Sequence, residues 1–194
     1  MTVLSPPRSV VIDRALQDAR RWCAGHTIDD RPALVHAVRV AVIIGHHAPA
    51  PPWEVIVAAL LHDAPDLAPA EPDIYQVLAT GYGAEVPRII AALQAEHRAL
   101  DEPDPPIRID DQSVVLASTA DKIVALTSLL RRARATGDAL GFFAQRPVLC
   151  GLLPYFRAFQ RCAHPRVPAS MSAHLDAILA QFERTARFPG AGAR

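Results

Sequence analysis

Hydrophobic positions along this 194-residue chain recur at three- and four-residue spacing, with no run of alternating β-branched residues between turn signals. That period belongs to amphipathic helices rather than strands. From about Val10 to Cys23 the apolar set is Val11, Ala15, Leu16, Ala19, Trp22 and Cys23, which predicts a first helix ending near Gly25. Asp30-Arg31-Pro32 offers an N-cap followed closely by proline, and LVHAVRVAVII then stays almost wholly apolar as far as His46 and His47. Such a segment reads as a helix buried on most sides, carrying His36 inward. Ala48-Pro49-Ala50-Pro51-Pro52 is a loop, and Trp53 to His62 forms a third helix stopped by Pro65 and the Ala-Pro pairs beyond it.

Glu71 to Thr80 and Ala84 to Leu100 read as two further helices joined by Gly81-Tyr82-Gly83, and the acidic, proline-rich DEPDPPIRIDD that follows has no periodicity and is a loop. Gln112 to Thr136 is a long helix with basic residues in its last turns, favourable against the helix dipole, and Gly137 just beyond. Ala139 to Ala163 and Ser170 to Phe188 complete the set. The expectation is an all-α, single-domain helical bundle of about seven to nine helices. Residues 1–9 and 189–194 are read as terminal tails around a bundle at 10–188. No internal repeat interrupts it.

Composition narrows the functions available. Twenty basic and twenty acidic residues cancel, with a sequence pI near 7.1, so no global field draws in long nucleic acid or an anionic membrane. The hydrophobic share of 51% argues against disorder, and the clean apolar runs break before the ~18–20 residues of a membrane span. No basic cluster followed by an apolar stretch opens the chain. Cys23, Cys150 and Cys162 are odd in number, widely spaced and set among apolar residues, which suits reduced core thiols and a cytoplasmic location. The apolar content of the last two helices is compatible with a homodimer.

Within this frame the stretch AALLHDAPD, residues 58–66, is costly: a run of apolar helix formers ends in His62 and Asp63. Burying such groups costs several kcal/mol unless they are paired or bind a metal. Asp121 lies in the long helix with Ala117, Ser118, Val124 and Ala125 at one turn, a core-facing stripe. With His36, that makes two imidazoles and two carboxylates on helical faces expected to be buried. Such a set suits one borderline divalent ion, Mn²⁺, Fe²⁺, Co²⁺ or Zn²⁺, with positions left for water.

The order His, then His-Asp, then a distant Asp, all on helices, resembles the HD-domain superfamily of metal-dependent phosphohydrolases. The resemblance spans most of residues 10–160, and VHAVRVA, AALLHDAPD, YGAEVPRIIAAL and ASTADKIVAL follow the order and approximate spacing of the hydrolase domain of RelA/SpoT-type alarmone enzymes. It implies that His36, His62, Asp63 and Asp121 are metal ligands, that the ion is Mn²⁺, and that a phosphate ester or anhydride is hydrolysed. Four positions depart from the pattern. Asp66-Leu67 stands where the alarmone hydrolases have Glu-Asp, Ala125 replaces an Asn, Thr27 replaces a basic residue, and the loop from Leu100 to Asp111 is acidic rather than basic.

In that chemistry a metal-bound water is acidified and attacks phosphorus. Asp66, one turn from His62 and Asp63, is the candidate to orient or deprotonate it, with Asp63 also counted as catalytic. Lys122 is a candidate phosphate contact, although as the neighbour of Asp121 it points about 100° away around the helix. The substrate class implied is a nucleotide or related phosphorylated small molecule. Two alternatives share the fold: a degenerate HD domain serving as a metal- or ligand-binding regulatory module, and an iron-dependent oxygenase. Two-metal members of the superfamily place two further histidines between the HD pair and the last Asp; here that interval holds His97 alone, which argues for one ion per chain. His46 and His47 are expected at a solvated helix end, Arg131, Arg132 and Arg134 at another, and His26, His164 and His174 carry no partner pattern.

Overall fold

The structure is a computed structural model that describes residues 3–68 and 73–186. Helix α1 (Val10–Trp22) turns its apolar stripe of Ile12, Ala15, Leu16, Ala19 and Trp22 inward. A two-residue antiparallel hairpin, β1 (Thr27–Ile28) with β2 (Arg31–Pro32), leads into α2 (Ala33–His47). Asp29 and Asp30 both adopt positive φ, 55° and 60°, at its two-residue turn, the backbone that such a turn requires and that Asp tolerates better than most residues. Asp30 is therefore a turn residue and not the N-cap of α2, which starts at Ala33 after Pro32 without a side-chain cap.

Helix α3 (Trp53–Leu61) is buried along its whole length from Val55 onward. His62 follows as its C-cap, and Ala64–Leu67 forms a separate short helix, α4, with Pro65 in its first turn. Proline lacks an N–H and cannot continue α3, yet it fits the first turn of a new helix. Helix α5 (Ile74–Tyr82) begins at a side-chain cap, Asp73 accepting from the Tyr75 amide, and the expected start near Glu71 lies outside the described residues. Helix α6 (Glu85–Ala99) and the long α7 (Gln112–Ala135) follow, the latter capped by Asp111 accepting from the Val114 amide.

The segment read as one helix over 139–163 is three: α8 (Ala139–Ala144), α9 (Pro147–Gly151) and α10 (Leu153–Ala163). Pro147 and Pro154 each occupy a first turn, where a missing N–H breaks no bond but forbids continuation from the preceding helix. A short 3-10 turn (His164–Arg166) precedes α11 (Ala169–Ala186). The expected end at Phe188 and the tail at 189–194 lie outside the described residues. Eight helices have nine residues or more, so the described architecture is all-α.

Helix α7 is the axis of the bundle, packed by α2, α3, α6, α8, α10 and α11. Its composition and length would fit a membrane span, with mean hydropathy 1.5 over an 18-residue window, but 83% of that window is buried in the fold. Around it α2, α3, α6 and α11 close a single core that includes Ile44, Leu60, Ile89, Ile123, Phe159 and Phe182.

Candidate metal centre

Three packed helices bring three of the four expected ligands together, Asp63 standing outside the group beside His62. α2 supplies His36, the end of α3 supplies His62, and α7 supplies Asp121; each offers a ligand atom, and these atoms lie within 4.8 Å of one another. His36 Nε2 lies 2.9 Å from Asp121 Oδ1. His62 Nε2 lies 3.7 Å from the same oxygen and 3.4 Å from Asp63 Oδ1. Neighbouring donors around one ion with bonds of about 2.0–2.2 Å have separations of this order.

His62 reports most clearly what the site lacks. Its side chain is 1% exposed, and its Nδ1 is 2.9 Å from the Ala59 carbonyl. A carbonyl only accepts, so Nδ1 carries a proton, and in the tautomer this sets it is Nε2 that offers the lone pair. That Nε2 is buried without a hydrogen-bond partner, as is Asp63 Oδ2. Acceptors from the His62 imidazole and the Asp63 carboxylate are therefore buried side by side with no donor to answer them. Buried acceptors of this kind cost about 1–3 kcal/mol each when unmatched, and a divalent cation is the group whose chemistry fits them.

His97, near the end of α6, joins the cluster: its Nε2 lies 2.9 Å from Asp121 Oδ2. Burial raises the Asp121 carboxyl, but hydrogen bonds from His36 and His97 outweigh it and hold the group well below the ordinary range. Burial lowers His36 and His97, and the bond and charge of Asp121 overcome it, so both rings end raised. The Cys23 thiol is pushed up to about 11 by burial and then by the charge of Asp63, which keeps it a thiol near neutral pH.

Asp66 and Lys122 are outside this ligand group, although Lys122 lines the cavity beside it. Asp66 Oδ2 accepts from Gln94 Nε2 at 2.9 Å, and the same amide nitrogen is 2.9 Å from the His62 carbonyl oxygen. Gln94, on α6, thus ties the Asp66 turn to the His62 backbone. The Lys122 ammonium is turned into the core, where it meets Glu96 and Ser118 Oγ (2.9 Å) and sits 4.3 Å from the Phe159 ring centre. Glu96 also accepts from Ser118 Oγ at 2.6 Å and Tyr155 Oη at 2.8 Å. Nothing in the spacing singled out Glu96; its nearest signal is an acid between apolar residues on α6, beside His97.

The cluster opens into a cavity of about 470 Å³. His36, Asp63, His97 and Asp121 line part of it, Arg132 and Arg146 another part, and Leu126, Leu129, Leu152 and Phe156 are among its apolar walls. Asp121 and Arg132 stand eleven residues apart on α7, so the cavity runs about 16 Å at 1.5 Å per residue. Arg132, read from sequence as part of a solvated end, pairs with Asp29 at 2.8 Å and Asp30 at 2.9 Å. Arg146 stacks 3.7 Å over the Phe142 ring.

No family model and no curated protein sequence matches the chain. Among solved structures it is similar to that of a metazoan ortholog of SpoT that hydrolyzes ppGpp and plays a role in starvation responses. The TM-score is 0.67 at 17% sequence identity, covering 92% of this chain and 98% of that one. A likeness of that extent shows the fold: this chain shares the all-α helical-bundle fold of that structure.

Proposed function

We propose that the protein is a metal-dependent phosphohydrolase acting on a nucleotide or related phosphorylated small molecule. The observation that carries the proposal is the His62 Nε2 lone pair, buried and unmatched beside Asp63 and Asp121. His36, His62, Asp63 and Asp121 would hold one divalent ion, Mn²⁺ by the resemblance, with Fe²⁺, Co²⁺ or Zn²⁺ compatible with the same donors. When bound, such an ion supplies an acidified water and positive charge against the phosphoryl oxygens.

The chain's own groups do the rest. The Ala59 carbonyl fixes the His62 tautomer that leaves Nε2 free to ligate. Asp66, held by Gln94 through Oδ2, has its second carboxylate oxygen to orient the attacking water or accept its proton. The apolar walls of the cavity can cover part of the substrate, and Arg146 in its far part, away from the Asp29 and Asp30 pairs of Arg132, is the group available to a second anionic group. A length of about 16 Å suits a nucleoside with its phosphates, and the solved neighbour's substrate, ppGpp, belongs to that class.

Elemental analysis of the purified protein beside its His62→Ala and Asp121→Ala variants, with phosphate release from a nucleotide panel under Mn²⁺, tests the proposal. The expected result is about one ion per chain, lost in both variants together with turnover. Metal without turnover of any phosphorylated substrate would instead make the domain a binding module, and a metal-free parent protein would overturn the assignment.

A further inference from the structure

A second cavity of about 300 Å³ lies where α2, α7 and α11 meet. Val42 and Ile43 of α2 and Ile123 and Val124 of α7 make its floor apolar. Its polar lining is Arg39, Thr127, Ser128, Arg131 and His174, and no carboxylate is among the lining residues. Spacing of i, i+3, i+4 and i+7 sets Val124, Thr127, Ser128 and Arg131 along one side of α7, and Arg39, Val42 and Ile43 are matched the same way on α2.

Arg131 is the anomaly. Its Nη2 lies 3.0 Å from Ser128 Oγ, but its Nη1 is buried with no hydrogen-bond partner. Among the described residues neither Arg131 nor Arg39 has a carboxylate partner. Burial and the like charges of Arg31, Arg39 and Arg132 act against the Arg131 cation, with Asp29 opposing them. A guanidinium stays protonated under all ordinary conditions, so this fold keeps an uncompensated cation with a desolvated N–H at the edge of an apolar pocket. His174 adds to it: Nδ1 is occupied by His47 Nε2 at 3.0 Å, while Nε2 has no protein partner among the described residues. Charge, orphaned donor and apolar floor call for one kind of molecule.

The geometry points to a binding site for an amphipathic carboxylate, its head on Arg131 and Arg39 and a short aliphatic body over Val42, Ile43, Ile123 and Val124. A planar two-oxygen head matches a guanidinium fork, whereas the third oxygen of a phosphate would face the apolar floor unpaired. The volume lies at the lower end of small-molecule pockets, well below that of the cavity at the metal centre.

Calorimetric titration of the full chain with octanoate, 1-octanol and inorganic phosphate tests the site, with circular dichroism melting to verify folding of every variant. Octanoate should bind, and octanol and phosphate should bind at least tenfold more weakly. Arg131→Gln should cost tenfold or more in octanoate affinity, and Thr127→Trp, placed at an exposed position on the lining, should block binding without touching the head group. Arg146→Gln, in the larger cavity, should leave octanoate affinity unchanged. Equal affinity for octanoate and octanol, phosphate binding as tightly as octanoate, indifference to both Arg131→Gln and Thr127→Trp, or loss in Arg146→Gln would each overturn the assignment.

Discussion

Replacing Lys122 by Met removes the cation from a pair whose two side chains are 5% and 11% exposed and keeps nearly all of the packing. Glu96 would retain Ser118 and Tyr155 as donors, but its charge would be left buried without a counter-ion. Breaking such a pair on one side costs about 3–5 kcal/mol, and in a chain of this size each kcal/mol lowers Tm by about 2–4 °C, giving a drop of about 6–20 °C. Adding Glu96→Gln removes the stranded charge while leaving an amide that still bonds the same hydroxyls, so the double variant should regain more than half of the loss. Metal content should not change in either protein, because the ammonium is held by Glu96 and Ser118 and has no bond to a candidate ligand. The acid side gives an independent reading. Burial raises the Glu96 carboxyl, but the charge and bond of Lys122 and the Ser118 and Tyr155 bonds outweigh it, and the group ends below its ordinary 4.5. A carboxyl depressed in the folded state adds stability above its unfolded pKa and loses it as pH falls through the folded one. The unmodified protein should therefore lose this contribution below about pH 4.5, and the double variant should show a flatter acid limb. Calorimetric melts of the three proteins from pH 3 to 7 decide it. A single variant melting within about 2 °C of the parent at pH 7, or a double variant less stable than the single, would refute the pair as a structural element.

Gln94→Leu should cost about 1–3 kcal/mol in denaturant unfolding, since it strips a donor from a 4%-exposed site that serves both Asp66 and the His62 carbonyl; if Asp66 orients the water, turnover should fall by more than this stability loss explains. Phe182, fully buried, should lose about 3–5 kcal/mol on truncation to Ala, read as a lowered urea midpoint at unchanged slope. His47 and His174 are both lowered, first by burial and then by the charge of neighbouring histidines. The unfolded chain therefore binds protons first, and stability should fall as pH drops through about 6.5 toward the lowered folded values. His47→Gln should flatten that slope, and an unchanged slope would show that this histidine pair contributes nothing to it.

Much of the candidate site was legible because each candidate ligand interrupted an apolar helical stripe. His36, His62 and Asp121 stand where periodicity demands core residues, and the fold brings them within reach of one ion. The helices were legible for the same reason, while their ends were not. Pro65, Pro147 and Pro154 each mark the start of a new helix rather than only the stop of an old one, and chain order alone does not distinguish the two. The Asp29-Asp30 turn was hidden by the resemblance of Asp30-Arg31-Pro32 to a helix start. His97 was visible as a lone histidine, but its approach to Asp121 depends on the crossing of α6 over α7, a long-range fact no local spacing encodes. The His47, Ser170 and His174 contacts are of that kind too, which is why a helix end expected in solvent is tied to α11.

Helix α7 shows how one apolar segment can serve several sites at once. At about 100° per residue, Asp121, Ala125, Leu129 and Arg132 fall within about 80° of arc and face the larger cavity. Ser118 and Lys122, one turn apart, lean to the edge of that arc and meet Glu96 of α6. Val124, Thr127 and Arg131 lie on the far side and face the smaller cavity. Averaged over the helix these directions vanish into a hydropathy that would suit a membrane, and only the angular positions separate them. Each polar group buried on such a helix must have its own answer, because the core around it offers none. Lys122 has Glu96, and Asp121 has His36 and His97 with the unmatched His62 lone pair beside them. Arg131 Nη1 alone on this helix is left buried without an acceptor, and a helix that answers Asp121 and Lys122 from its neighbours leaves that one donor for a ligand.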